Sequence, residues 1–207
     1  MTTVGIIASP SAGKDVRRLV ANAGSIGDVD KISIIRRAAS GAIEVGARRL
    51  LYLDDTRHLV ERALNGLLKQ TTHTIHAERL DIPILGNSRD SICAAEALAK
   101  EAVPAVLVFG GDGTNRDVTK GWQDAPVVPL AVGTNNVFPL SIEPTLGGAA
   151  AGLVAVGEVA LETVAERAKV IHVDFEDREN DRALVDVVLT EGNFIGSRAI
   201  WDPSDLR

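Results

Sequence analysis

Apolar residues along this chain follow two alternating rhythms. Val4 to Ala8 is an unbroken apolar run closed by Ser9-Pro10-Ser11-Ala12-Gly13, which predicts a buried strand and a turn. Lys14 to Asn22 predicts a short helix. Lys31 to Val45 predicts a longer one, with Ile35, Ala38, Ala39 and Ala42 on one side and Gly46 ending it. Leu50 to Leu53 reads as a second strand. Asp55 or Thr56 then caps a helix whose stripe is Val60, Ala63, Leu64, Leu67 and Leu68. Thr74 to Leu80 is a third strand, and Asn87 or Ser88 opens a helix that runs to about Glu101. Ala105 to Phe109 and Val127 to Val132 are two more apolar strands. Leu146 to Gly157, rich in Ala and Gly, predicts a closely packed helix.

Strands that alternate with helices imply an α/β fold with a mostly parallel sheet covered on both faces. The pattern changes near Lys169. Val170 to Phe175 alternates at strand period, Glu176 to Asp181 makes a polar turn, and Ala183 to Leu189 follows as a strand. This reads as the start of an antiparallel β region. The expected organisation is an α/β domain over residues 1–165 and a short, incomplete β region over 166–207. An isolated strand pair is only marginally stable. The chain is therefore expected either to be a truncated form or to complete that sheet with another copy, as a homo-oligomer.

Composition narrows the function classes. Of 207 residues, 45% are hydrophobic and 24% charged, which is ordinary for a soluble globular protein. A net charge of −6 and an aromatic content of 3% disfavour a nucleic-acid binder and a base-stacking platform. No stretch is long and apolar enough to span a bilayer. Met1 to Ser9 lacks the charged start and long apolar core of a secretory signal, so a cytoplasmic location is expected. The lone Cys93 excludes an internal disulfide and reads as an inert buried thiol. His58, His73, His76 and His172 show no metal-ligand spacing, and structural or surface roles are expected of them. Arg36-Arg37 and Arg48-Arg49 read as solvated helical faces.

Ligands of open α/β sheets bind beyond the C-terminal ends of the strands, which selects three loops. After the fourth strand comes Gly110-Gly111-Asp112-Gly113-Thr114-Asn115. Glycines let backbone N–H groups approach a phosphate, and a helix starting near Thr114 adds its positive dipole end. An acid in such a nest repels phosphate, so the presence of Asp112 points to a chemical role. It could accept a proton from an attacking hydroxyl, bind a substrate hydroxyl, or help to hold Mg²⁺. The competing reading is a tight strand-to-helix turn with Asp112 as N-cap. After the fifth strand, Gly133-Thr134-Asn135-Asn136 presents hydroxyl and amide groups able to contact phosphate or ribose, or makes an ordinary turn. After the first strand, Ser9 to Lys14 ends in Gly-Lys but lacks the first glycine and the spacing of a P-loop. Lys14 remains a cation that could sit near phosphate. No G-x-G-x-x-G and no Gly-x-Ser-x-Gly is present, which disfavours a standard dinucleotide dehydrogenase and an α/β serine hydrolase.

Gly110-Gly111-Asp112-Gly113-Thr114 resembles the Gly-Gly-Asp-Gly-Thr signature of the NAD kinase and diacylglycerol kinase superfamily. Ser9 to Lys14 resembles the Asn-Pro-x-x-Gly-Lys start of these kinases, with Ser9 in place of Asn. The Ser9-to-Val20 stretch, the glycine loop and Ile195-Gly196-Ser197-Arg198-Ala199-Ile200-Trp201 are similar to the ATP-NAD kinase-like branch that includes acetoin-catabolism protein X. The resemblance implies a Rossmann-like N-terminal domain, a C-terminal β domain and a nucleotide between them. It implies Asp112 at the phosphoryl-transfer centre, with Gly110, Gly111, Gly113 and Thr114 cradling phosphates. Two positions depart from the pattern. Where NAD kinases carry an Asn-Glu pair on the ribose, this chain has Val185-Asp186. Gly133 to Phe138 is similar to the Gly-Thr-x-Asn-Asp-Phe stretch of the lipid-kinase branch, with Val137 for the acid.

The expected function is a Mg²⁺- and ATP-dependent phosphotransferase of the NAD kinase type, acting on a hydroxyl of NAD or a related small molecule. Asp112 would be catalytic. Gly110, Gly111, Gly113, Thr114, Asn135, Asn136, Lys14 and Asp186 would bind nucleotide. The alternatives are a kinase of a lipid or small alcohol and a non-catalytic nucleotide-binding accessory protein of a catabolic pathway.

Overall fold

A computed structural model describes residues 2–13, 26–133 and 136–188. Five strands, β1 (Thr3–Ala8), β2 (Arg49–Tyr52), β3 (His76–Arg79), β4 (Val106–Gly110) and β5 (Val127–Ala131), make one sheet in the order β3-β2-β1-β4-β5. Every pairing in it is parallel. The flanking helices are α1 (Asp28–Glu44), α2 (Leu59–Leu68), α3 (Ser88–Lys100), α4 (Asp112–Gly121) and α5 (Pro144–Val156). A short α6 (Leu161–Val164) leads to an antiparallel pair, β6 (Ile171–Val173) and β7 (Asp181–Ala183). The α/β fold read from the sequence is therefore the one observed. Among the described residues no helix is long and apolar enough to cross a membrane.

The central strands read as continuous apolar runs because both of their faces are covered. Along β1 and β4 successive side chains alternate between two cores. Ile6, Leu107 and Phe109 join Ile35, Ala38, Ala42 and Leu64 on one face. Ile7, Val106 and Val108 join Ala94, Ala95, Leu98 and Val118 on the other. The edges are managed differently. β3 is short and carries His76, Glu78 and Arg79, charged or polar groups that discourage further pairing. β5 holds Pro129, which edge strands tolerate. Residue Leu140 folds back along it, donating to the Pro129 carbonyl at 2.8 Å and accepting from the Ala131 amide at 3.0 Å.

Helices α1 and α5 approach unusually closely. A methyl group on Gly148 would lie 1.8 Å from the Ala38 carbonyl oxygen, and one on Gly41 would lie 2.1 Å from that of Thr145. This explains the Ala- and Gly-rich composition of α5.

The chain begins in the middle of the sheet, winds outward to β3, then crosses back to β4. The strand order thus reverses between β1 and β4, and such a switch point opens a crevice at the carboxyl ends of the two strands. Register fixes what meets there. Ala8 stands beside Phe109, and Gly110 beside Ala131. The loops leaving β1, β4 and β5 therefore start at one level of the sheet.

Several boundaries differ from the sequence reading. The second strand of the hairpin is Asp181–Ala183 rather than Ala183 to Leu189. The apolar run misleads because polar contacts from Asp181 and Arg182 to α4 select the pairing. Arg48 and Arg49 are not a solvated helical doublet. Arg48 donates to the carbonyls of Ile43 and Ala47 past the end of α1. Arg49 opens β2 and pairs with Glu78 and Glu101 at 2.9 Å each. Cys93 is half-buried rather than buried. His73 lies before β3, and only His76 is in it. The helix expected over Lys14 to Asn22 and the stretch Ile195 to Trp201 lie outside the described residues.

Candidate functional site

The glycine loop turns from β4 into α4 within two residues. Gly111 is the N-cap, and Asp112 is the first helical residue rather than the cap. The helix therefore starts two residues earlier than Thr114. Helix geometry leaves the first amides, those of Asp112, Gly113 and Thr114, without intrahelical partners. Among the described residues no side chain caps this end, so backbone donors and the positive end of the helix dipole face outward.

Each glycine there has its own spatial reason. A methyl group on Gly110 would come within 2.4 Å of the Thr114 side chain. Thr114 itself is buried against Gly110. A methyl group on Gly111 would lie 3.0 Å from the Asn136 side-chain oxygen. No described residue approaches the methyl position of Gly113 within 4 Å.

The loop after β5 is held directly by Asp112. Its Oδ1 accepts from the Phe138 amide at 2.8 Å and the Val137 amide at 3.1 Å, and its Oδ2 lies 3.2 Å from the Val137 amide. The Asn136 side chain sits between Gly111 and Gly133. Asp112, the glycine loop and Asn136 thus form one constellation. Asp186 is exposed, beyond the end of β7, and no described hydrogen bond joins it to these loops. Lys14 and Asn135 lie outside the described residues.

The sequence assigns no role to three further participants, although Asn115 closes the glycine motif. Lys31, in the first turn of α1, is 1% exposed and directs its Nζ to the Pro10 carbonyl at 3.0 Å. A buried ammonium thereby anchors the loop leaving β1. Asn115 is also 1% exposed. Its Nδ2 donates to the Gly111 carbonyl at 3.0 Å, while its buried Oδ1 has no hydrogen-bond partner among the described residues. Arg116, one residue on, grips the hairpin. Its Nε donates to the Arg182 carbonyl at 2.6 Å and its guanidinium pairs with Asp181, which also receives Lys120 at 2.6 Å. Arg116, with the help of Lys120, holds the Asp181 carboxyl well below the usual carboxylate range. Only the spacing of Arg116 and Lys120, one helical turn apart, is visible in the sequence.

This geometry can do three things chemically. The α4 start offers amides to an anion. Oδ2 of Asp112 keeps capacity for a proton or a hydroxyl, since Oδ1 takes the shorter loop contacts. The β5 loop is fixed beside both.

Comparison with known proteins places the same residues in a family context. Residues 32–159 match the ATP-NAD kinase N-terminal domain, a span that includes the glycine loop, Asp112 and Asn136. Residues 169–207 match the acetoin catabolism protein X C-terminal domain, which takes in β6 and β7. Acetoin catabolism protein X of Cupriavidus necator is 34% identical over 210 residues, covering 98% of this chain. The chain spans 58% of that protein's length.

Proposed function

Because the chain belongs to the ATP-NAD kinase N-terminal domain family, we propose that it serves an ATP-dependent phosphotransferase that acts on a hydroxyl of NAD or a related small molecule. The observation that carries this reading is Asp112, placed at a helix start that no described side chain caps and hydrogen-bonded to the neighbouring ligand-side loop. The amides of Asp112, Gly113 and Thr114 bind phosphate oxygens, with no described residue crowding Gly113. Mg²⁺ enters as part of the Mg²⁺–ATP substrate and neutralises charge on the transferred group. Asp112 orients the acceptor hydroxyl through Oδ2. The acceptor oxygen forms a bond to the γ-phosphorus as the bond to the β-γ bridging oxygen breaks, ADP leaves, and the hydroxyl proton passes to Asp112. Asn136, and Asn135 beside it in sequence, contact ribose or phosphate, and Lys14 adds a cation. Asp186 is assigned to the acceptor nucleotide.

A second reading has one specific support. Val137, Leu140, Ile142 and Leu146 are exposed close to the Asp112-bound loop, and an apolar surface there suits the chain of a lipid or apolar alcohol. Third, a nucleotide-binding accessory role in a catabolic pathway agrees with the name of the Cupriavidus relative.

The test is a kinase assay with Mg²⁺–ATP and, separately, NAD, diacylglycerol and small polyols, using Asp112→Asn as control. Phosphorylated NAD made by the natural chain and not by the variant supports the first reading. A phosphorylated lipid or polyol supports the second. Saturable ATP binding with no product from any acceptor supports the third.

A further inference from the structure

Beyond the end of β2 the chain places three metal-ligating side chains together, away from the glycine loop in sequence. Asp54 follows the strand, His58 is the residue before α2, and Glu61 lies in the first turn of that helix. The His58 Nδ1 is 2.9 Å from Asp54 Oδ1 and 3.6 Å from Glu61 Oε2, and one donor atom from each residue lies within 4.8 Å of the others.

We propose that Asp54, His58 and Glu61 bind a divalent first-row transition metal ion of the Zn²⁺ type. Two ligand atoms, each about 2.0–2.1 Å from a tetrahedral Zn²⁺, stand about 3.3 Å apart. The two separations to His58 fall on either side of that value, and all three donor atoms lie within 4.8 Å of one another, so side-chain rotation can bring them onto one ion. The second oxygen of Asp54 is taken by Arg79 at 3.0 Å. That contact orients the carboxylate and leaves Oδ1 toward His58, as outer-shell partners of metal ligands do. Exposure is graded across the group: Asp54 is 11% exposed at its side chain, Glu61 35% and His58 56%. One wall is therefore fixed, and the open side leaves a fourth position for water.

Charge and donor chemistry agree. Two carboxylates face one guanidinium, so the neutral-imidazole form leaves a net negative pocket. Asp55, next in sequence, does not compete, because its oxygens accept the amides of Arg57 and Leu59 at 2.9 and 3.0 Å. An imidazole in the donor set favours Zn²⁺ over Mg²⁺. Without a cation, a proton on His58 satisfies the same carboxylates, and the Asp54 hydrogen bond raises the His58 pKa above its ordinary value. The metal must displace that proton. The proposal is independent of the phosphotransfer reading, since none of its residues belongs to the glycine loop.

The experiment is titration of the metal-free full chain with Zn²⁺ by calorimetry, in the absence of nucleotide, with Mg²⁺ in parallel. Co²⁺ absorption reports the coordination geometry. One Zn²⁺ per chain is expected, with affinity falling on the order of tenfold or more in His58→Gln and in Glu61→Gln, and no comparable binding of Mg²⁺. Circular dichroism of each variant verifies that α2 is intact. Absence of saturable Zn²⁺ binding overturns the proposal. So does binding that survives unchanged in folded His58→Gln, which would place the ion elsewhere.

Discussion

The Asp112 carboxylate accepts the backbone amide of Phe138 at 2.8 Å across twenty-six positions of chain. One side chain thus clamps the neighbouring loop and, in the mechanism proposed above, also takes the acceptor proton. Asp112→Asn keeps an acceptor oxygen for Phe138, whereas Asp112→Ala removes it. Asn is expected to leave thermal stability nearly unchanged while abolishing turnover. Ala is expected to add a stability loss of about 1–3 kcal/mol, the cost of stranded amides. Urea denaturation alongside the kinase assay separates the two effects. Unchanged stability in Asp112→Ala would show that the carboxyl is not the clamp.

Asn115 gives the opposite pairing of effects. Its buried Oδ1 lacks a partner among the described residues, and such an atom costs about 1–3 kcal/mol in desolvation. Asn115→Leu has nearly the same shape and removes that oxygen, along with the bond from Nδ2 to Gly111. The variant is expected to be as stable as the natural chain or more so, yet slower in phosphoryl transfer, because the Gly111 carbonyl loses its side-chain contact and keeps only the amide of residue 115. A thermal melt with kcat measured on the same sample checks it.

The hairpin contact is sensitive to acid. Arg116 leads the groups that lower the Asp181 pKa in the folded chain. A carboxylate with a depressed folded pKa stabilises above its unfolded value, near 4, and that contribution is lost as pH falls through the folded one. Partial exposure keeps the effect modest. Hydrogen exchange at residues 171–183 is expected to lose protection below about pH 4, and Asp181→Asn to show weak protection with little pH dependence from pH 3 to 7.

Close approach of α1 and α5 sets a steric limit. Gly148→Ala would press a methyl carbon to 1.8 Å from the Ala38 oxygen unless the helices part. A loss on the order of 1–3 kcal/mol or more is expected, read as a lower urea midpoint. An unchanged midpoint would mean that α5 shifts freely against α1.

Much of this arrangement is legible in the sequence for identifiable reasons. Central parallel strands are apolar on both faces, so β1 and β4 stand out as runs, and the switch point follows from their loops. The glycine loop declares itself because close packing of Gly110 onto Thr114 tolerates no larger residue. Contacts between distant positions leave no such trace. Arg116 meets Asp181 sixty-five residues later, and this pairing, not the apolar run after Ala183, decides where β7 forms. Lys31 reads as an ordinary helix start, although its burial beneath the β1 loop makes it an anchor. Asp54, His58 and Glu61 are spaced like one face of a helix, but Asp54 precedes α2, so their convergence depends on the turn at Asp55.

Helix α4 carries Asp112 at its first position and Arg116 and Lys120 one and two turns later. At 1.5 Å per residue, about 6 Å of rigid rod separates the carboxylate from the guanidinium that holds the hairpin. The rod has no hinge between those points. The β region and the loop after β5 are therefore fastened to the two ends of one helical turn, Arg116 holding the hairpin and Asp112 holding Phe138.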